Sequence, residues 1–548
     1  MGIMEDIHTA MKYMSCGEYI KAEKIYKDVL NQDGNNAVVL SMLGGLYFNM
    51  RDFKQAKKYL EKSDSIKPLD ATNEWLGLTY YCLGKFEKAQ IYLEKAVDKT
   101  KNFDVFEKYI DCLEKKDDPK TAYIIAEKAY KMFPLKPEAI AQYADCCLSI
   151  GKFEDALNYS IQVTRNYPKY GIGWIVLGMV AELYLRDENL AKECYQTALR
   201  CGEKRKGNYN LALNALRNSD YQSAHKYLRK IYRGKDKDVW LNYIYACLYF
   251  KERKFKQAYK YYIYKEPQVG PKHPINKLKR PWDGKRYKDE TLLVFCDQGY
   301  GDTFMFLRYI YSLKNKFKKV KILIRPEMAG IVERSFADLH WVQVCRLTKR
   351  FPSYDKSVIL SYIPYYIKAD IDTIPCSNGY FKADKKIVDK YKDKIHTDKL
   401  KIGICWESGG DGLRDMLHRT LNINMFEDLF KIKNSQFYSF QVKPAMDNYK
   451  DYSDLIDLAK DFENFDDTAG ALCNMDLLIT VDTAIAHLAG ALGVKTYILL
   501  PYYPDWRWFD NEKKTEWYDS VTLFRQQDSK TWENVFENIK NEIIKIIS

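Results

Sequence analysis

Residues 481–508 read VDTAIAHLAGALGVKTYILLPYYPDWRW, and their spacing decides the fold of the second half of the chain. The apolar run Leu477-Leu478-Ile479-Thr480-Val481 predicts a buried parallel strand. Asp482-Thr483 opens a helix carrying Ala486, His487, Ala489, Gly490 and Leu492, and Gly493 closes it. Lys495–Leu500 is the next strand, so the stretch is one β-α-β unit. Unpaired backbone N–H groups at such a helix start can take a phosphate.

Outward from this unit, strands are expected at Thr291–Cys296, Val320–Ile324, Trp341–Cys345 and Ser357–Leu360, with helices near 303–315 and 326–336. A second set is expected at Lys401–Trp406, Gln436–Gln441, Asp476–Thr480, Thr496–Leu500 and Val521–Phe524, closed by an amphipathic helix over Trp532–Ile547. Two small doubly wound lobes follow, residues 291–395 and 396–548, with a ligand crevice at the carboxyl ends of their strands.

The first half has a different period. Ala22, Ala56, Ala89, Ala122, Ala156, Ala191, Ala224 and Ala258 recur at intervals of 33 to 35 residues. An aromatic stands three residues before six of them: Tyr19, Phe53, Phe86, Phe153, Tyr221 and Phe255. Leu43-Gly44, Leu76-Gly77 and Leu177-Gly178 precede their Ala by twelve or thirteen residues, and Pro68, Pro134 and Pro168 follow theirs by twelve. This is the tetratricopeptide signature: small residues let paired helices close in, and stacked units build a solenoid with a concave binding face. The unit around Ala122 has Lys-Lys-Asp-Asp-Pro in place of its Gly turn, and the sixth carries one extra residue. The array is read as eight units over residues 1–265. Residues 266–290, rich in Pro, Gly and Lys, read as a linker.

Composition narrows the function classes. The 548 residues are 46% hydrophobic and 29% charged, which suits ordinary globular domains. No apolar run is long enough to span a membrane and Met1–Lys12 has no signal-peptide core, so a cytoplasmic protein is expected. The 13 Cys are scattered without a C-x-x-C pair, which favours reduced thiols. The net charge of +13 is spread over helix surfaces among acids, so no nucleic-acid partner is expected. No H-E-x-x-H, G-x-S-x-G or Cys/His cluster occurs, so no metal and no covalent nucleophile are assigned.

Three strand ends carry candidate chemistry. After Leu292–Phe295 comes Cys296-Asp297-Gln298-Gly299-Tyr300-Gly301-Asp302-Thr303, where Gly299 and Gly301 allow a tight turn and close approach of a ligand. Ile402–Cys405 leads into Trp406-Glu407-Ser408-Gly409-Gly410-Asp411-Gly412, a turn able to wrap phosphate oxygens, with Arg419-Thr420-Leu421 beyond. The helix after Val481 offers Thr483 and, one turn on, His487. Asp482 would repel a diphosphate, so it is assigned to capping the helix or orienting a neighbour.

The strings QGYGDTFMFLRY and VDTAIAHLAGALGV, set behind tetratricopeptide repeats, resemble the heptosyltransferase-like domains of GT-B glycosyltransferases over residues 280–530. The resemblance implies two Rossmann-like lobes and metal-independent, inverting transfer from a nucleotide sugar. No cofactor is implied beyond that donor, for which a UDP-linked sugar is the default. Asp302 inherits the role of general base, although an Asp there can equally cap the helix from Thr303. Trp406, Ser408, Arg419, Gln441, Asp482, Thr483 and His487 fall at nucleotide-sugar positions. The family's Asn-rich segment departs here to GGDGLRDMLHRT, which leaves Arg414 and Arg419 both open as the diphosphate ligand, with Arg419 preferred. Gln441 either reads a base edge or ends a strand; His487 either contacts the nucleotide or packs. Phe440 and Asp467-Thr468-Ala469 match further positions, and the aromatics of 501–508 either line the sugar site or brace a rigid loop. The closest analogy is to flagellin glycosyltransferases, with a flagellin-like polypeptide in the repeat groove and Ser or Thr as acceptor. A glycan-modifying enzyme of the same fold and a non-catalytic scaffold are the alternatives.

Overall fold

The computed structural model describes residues 3–234, 238–264, 273–296, 299–409, 419–442, 452, 454–510, 513–528 and 531–548. Asp297, Gln298, Gly410, Asp411, Gly412, Arg414 and His418 lie outside these, as does the first part of the expected linker. The chain divides into two compact units, Met1–Gly207 and Asn208–Ser548.

All eight helical pairs that the period predicts are present, from Ile3–Ser15 with Tyr19–Gln32 to Val239–Lys251 with Phe255–Tyr262. The recurring alanines sit where the paired helices touch: seven are 0% exposed and Ala122 is 1%. A Cβ on Gly44 would stand 2.4 Å from Leu60 Cγ, and one on Gly178 would stand 2.4 Å from Tyr195 Cε1, so both positions need glycine for the close approach. Aspartates start many of the second helices. Asp52, Asp118, Asp187 and Asp220 each accept a backbone N–H three residues on, at 2.9 to 3.1 Å.

Both irregular units are built into this scheme. The extra residue of the sixth is absorbed by a π-turn, Ala181–Leu185, after which Arg186 at φ 54° leads into the next helix. In the Ala122 unit, Asp117 takes the left-handed conformation at φ 59° that Gly17, Gly84 and Gly151 adopt in theirs. Arg51, Arg186, Ser219 and Arg253 do the same, so five of eight turns hold a residue with a Cβ where glycine would be unstrained. Arg51→Gly and Asp117→Gly are each expected to stabilise the first unit by about 0.5–1 kcal/mol, read as a rise in its urea midpoint. No change in either would mean that these turns are unstrained.

The second unit holds two parallel sheets. The smaller has β1 (Tyr287–Phe295), β2 (Phe317–Ile324), β3 (Val342–Arg346) and β4 (Lys356–Ile359) in the order 3-2-1-4. The larger has β5 (Leu400–Cys405), β6 (Ser435–Ser439), β7 (Leu455–Asp457), β8 (Leu477–Val481), β9 (Thr496–Leu500) and β10 (Val521–Arg525) in the order 10-9-8-5-6-7. Counted from β5 this is the doubly wound order 3-2-1-4-5-6, whose crevice opens between β5 and β8. Three-residue β7 carries too little pattern for a sequence reading and was not expected. The closing helix spans Glu533–Ile547 and buries Val535, Ile539 and Ile543 on the larger sheet's core.

The boundary read from composition differs from the one set by packing. The last two helical pairs belong with the sheets in the second unit. Phe250 stacks on Trp506 at 3.9 Å between ring centres, and Phe255 meets Phe509 and Trp517. The span read as a linker is also structured at its far end. Trp282 is 1% exposed in the core, Pro281 bridges to Ser357, and β1 begins at Tyr287.

Candidate functional site

The helix Tyr300–Leu307 starts at Gly299, beyond the end of β1, and packs on the helix Ala484–Leu492 that follows β8. Gly301 makes the contact possible. A Cβ there would meet His487 Cδ2 at 2.8 Å and Ala484 Cα at 3.3 Å. Gly299 has open space around it and an ordinary φ of −54°, so nothing steric requires glycine at that position. Asp302 lies in the first turn of a helix that begins three residues earlier than expected, and Gly299 rather than Asp302 stands at its N-cap position.

Asp302 is held by an arginine that sequence reasoning left without a role. Arg507 Nη2 donates to Asp302 Oδ1 at 2.5 Å, and Nη1 donates to Asp505 Oδ1 at 2.5 Å. Its side chain is only 10% exposed. Burial opposes its charge, yet Asp302 and Asp505 hold its pKa well above the ordinary value. Burial likewise pushes Asp505 up, but Arg507 beside it outweighs this and keeps the carboxyl below its usual range. Nearby, Arg419 Nη1 reaches Asp482 Oδ2 at 3.4 Å. Asp482 is 5% exposed, and burial raises its pKa against the pull of Arg419. Asp482 therefore orients a neighbour; Thr483 stands at the N-cap position without a side-chain capping bond, its hydroxyl 3.4 Å from that of Thr480.

His487 is 3% exposed. Its Nδ1 is 3.1 Å from Tyr518 Oη, and its ring stacks on Trp508 at 5.1 Å. Burial, reinforced by Arg507, pushes its pKa down to about 3, so the imidazole is neutral near pH 7. Its folded pKa lies below the unfolded value near 6.5, so between those values the unfolded chain binds more protons and stability falls with falling pH. At about 1.4 kcal/mol per unit, the second unit should lose about 2 kcal/mol between pH 7 and pH 5 through this group. Urea unfolding at both values tests it: His487→Phe should shrink the loss by that amount, and an equal loss in both proteins would reject it.

Several expected ligands turn inward. Trp406 is 2% exposed and packs with Ile402, Leu421 and Phe426 in the core, so its side chain is no ligand. Gln441 Oε1 accepts from the backbone N–H groups of Trp406 at 3.1 Å and Glu407 at 2.9 Å. Its carbonyl thus fixes the turn after β5 instead of reading a base. The Ser408 N–H donates to Thr420 Oγ1 at 3.3 Å, which ties that turn to the Arg419 segment. Asp467 is engaged by Lys390 at 3.0 Å. Trp506 and Trp508 are 2% and 0% exposed, so they brace the 501–508 loop, and only Tyr502 stands out at 43%.

Arg308 was also missed. It is fully buried, donates to Met305 O at 3.0 Å and Trp517 O at 2.6 Å, and lies over the rings of Tyr380 and Tyr518. It stood in plain view within TFMFLRY, but its apolar neighbours gave no sign that a cation would be buried among rings. Asp302, Arg507, Asp505, Arg419 and Asp482 alternate in charge: Arg507 bridges Asp302 and Asp505, and Arg419 attracts Asp505 and meets Asp482. Among the described residues no three His, Cys, Asp or Glu are placed to hold a metal. Among them, too, no helix is long and apolar enough to cross a membrane.

The tetratricopeptide repeat family model matches residues 37–68 and 72–98. Protein FlbA of Caulobacter vibrioides is 22% identical over 299 residues, 46% of each chain, so the chain spans less than half of that relative's length. Solved structures with a likeness include YrrB, described as a TPR protein with an unusual peptide-binding site. It is 18% identical over 36% of this chain and 97% of that one, with a TM-score of 0.31. A tetratricopeptide repeat protein from Parabacteroides merdae is 13% identical over 42% and 91%, with a TM-score of 0.34. The helical pairs of this chain are tetratricopeptide repeats, and the two parallel sheets that follow them in sequence make an α/β region.

Proposed function

We propose that this chain is a glycosyltransferase that moves a sugar from a nucleotide sugar to a Ser or Thr hydroxyl of a polypeptide, with flagellin the first acceptor to try. The observation that carries the reading is the pairing of two doubly wound sheets whose strand ends bring the Asp302 helix against the Thr483–His487 helix. Nucleotide ligands sit in such crevices, and the amides at the start of Ala484–Leu492 suit a diphosphate. Arg419 is 31% exposed and lies 3.4 Å from Asp482 beside the crevice, a cation suited to a leaving diphosphate. Asp302 is the base in this reading. The repeats supply the surface for a polypeptide acceptor.

The charge count sets a condition on this reading. Among the described residues three carboxyl groups, Asp302, Asp505 and Asp482, face Arg507 and Arg419, so a diphosphate that used either guanidinium would displace a carboxyl from it. The same count favours a second reading, a scaffold whose ion chain merely locks the two lobes. The intact mass of flagellin co-expressed with the wild type, beside Asp302→Asn, separates them. Sugar-sized increments with the wild type alone support transfer with Asp302 as base. Increments with both remove Asp302 from that role. Their absence in both, together with no stabilisation by any nucleotide in a thermal-shift series, would leave the scaffold.

A further inference from the structure

A pocket of about 450 Å³ opens between the last repeat helix, Phe255–Tyr262, and the short helix Ile363–Tyr366. Asp283 lies before β1 begins, whereas Gly299 and Asp302 follow its end, so pocket and crevice stand at opposite ends of that strand. The volume suits a small ligand. Its walls are firm. Tyr259 at the base is 1% exposed with its hydroxyl 3.3 Å from that of Tyr309. Tyr366 lies against Trp282 at 5.1 Å, and a Cβ on Gly284 would approach its Cδ1 to 3.2 Å. Tyr365 stands edge-on to Tyr366 at 5.2 Å, is half-buried and lines the pocket.

The charges around the pocket are not balanced. Lys256 pairs with Asp370 at 2.9 Å. Asp283 is engaged at both oxygens, by the Lys285 N–H at 3.0 Å and the Tyr287 hydroxyl at 3.1 Å. Lys260 and Lys368, also in the lining, have no ion-pair partner among the described residues. Lys368 is placed there at a cost. It follows the Ile363–Tyr366 helix at φ 58°, with its N–H on Tyr365 O at 3.1 Å and the Ala369 N–H on Pro364 O at 2.9 Å. That is the helix-ending turn where glycine is the unstrained choice.

We propose that this pocket binds a small sugar-sized ring bearing a phosphate or a carboxylate, stacked on Tyr365 and paired with Lys260 and Lys368. Exposed ammonium groups beside the pocket attract an anion, and a phenol ring in the lining favours a ring compound over a bare ion.

Calorimetric titration of the full chain tests it with glucose 6-phosphate, glucuronate, glucose and inorganic phosphate. Binding of glucose 6-phosphate or glucuronate without binding of glucose supports the proposal, and which of the two binds identifies the anion. Tyr365→Ala and the double variant Lys260→Ala with Lys368→Ala should each weaken that ligand by about tenfold or more. Lys368→Gly should weaken it too while raising the thermal midpoint, an opposition that a merely structural lysine would not give. The proposal is overturned if neither acid binds. It is equally overturned if inorganic phosphate binds as tightly as the ring compounds, or if these variants leave affinity unchanged.

Discussion

A fragment of residues 208–548 is expected to fold and unfold as one cooperative unit, whereas a fragment of residues 273–548 is expected not to fold. The second begins inside the region that composition marks as a linker, and so looks like the natural cut. It would remove Phe250, Phe255 and Tyr262, which cover Trp506, Phe509, Trp517 and Phe306, and Tyr259, whose hydroxyl meets that of Tyr309. Each large ring buries about 150–250 Å², worth about 4–6 kcal/mol at 25 cal/mol per Å² as an upper bound. Exposing even half of four such rings removes about as much as the 5–15 kcal/mol that holds a domain together. The cut also strips Lys251 from Asp510, an ion pair at 2.5 Å with both side chains largely buried. Far-UV and near-UV circular dichroism with a urea titration decides it. A soluble 273–548 fragment with a sharp transition would show that the last two repeat pairs are dispensable to the sheets.

The same aromatic junction explains where the sequence was legible and where it was not. A repeat period is local, so eight alanines and their turns announce eight helical pairs, and strand patterns such as Thr496–Leu500 announce themselves within five residues. Which pair packs on which sheet is not local. Phe250 and Trp506 are 256 positions apart, and nothing near either one names the other. The site divides in the same way. Asp302, Asp482 and His487 could be found because each stands just past an apolar strand, the place where crevices form. Arg507 sits in a Trp-Arg-Trp string whose neighbours say only "buried", and its partner Asp302 lies 205 residues away. Trp406 and Gln441 misled for the converse reason. They stand at a strand end, as ligands do, but alternation along β5 and the turn after it carry the ring into the core and the amide onto backbone N–H groups.

Arg507→Met is expected to cost the second unit about 3–5 kcal/mol, because it leaves Asp302 and Asp505 charged with no cation between them in a largely water-excluded place. The arginine's own burial makes the pair weak evidence for net stability, since a well-packed apolar residue can replace a buried pair without loss. The cost therefore comes from stranding the acids, and it should be recoverable. Adding Asp302→Asn to Arg507→Met should restore about 1–3 kcal/mol, whereas Asp302→Asn alone should cost less than Arg507→Met because Asp505 still balances the guanidinium. Urea midpoints of the three proteins close the cycle, and additive effects would mean that Arg507 and Asp302 are not coupled as their 2.5 Å contact requires. The same set of proteins bears on the proposed chemistry. If a diphosphate draws Arg507 away and thereby frees Asp302 to accept a proton, then UDP should stabilise the wild type and Asp302→Asn but not Arg507→Met. Stabilisation of all three would assign the diphosphate to Arg419 and the helix start after Thr483, and would make Arg507 the strut that holds Asp302 at the crevice.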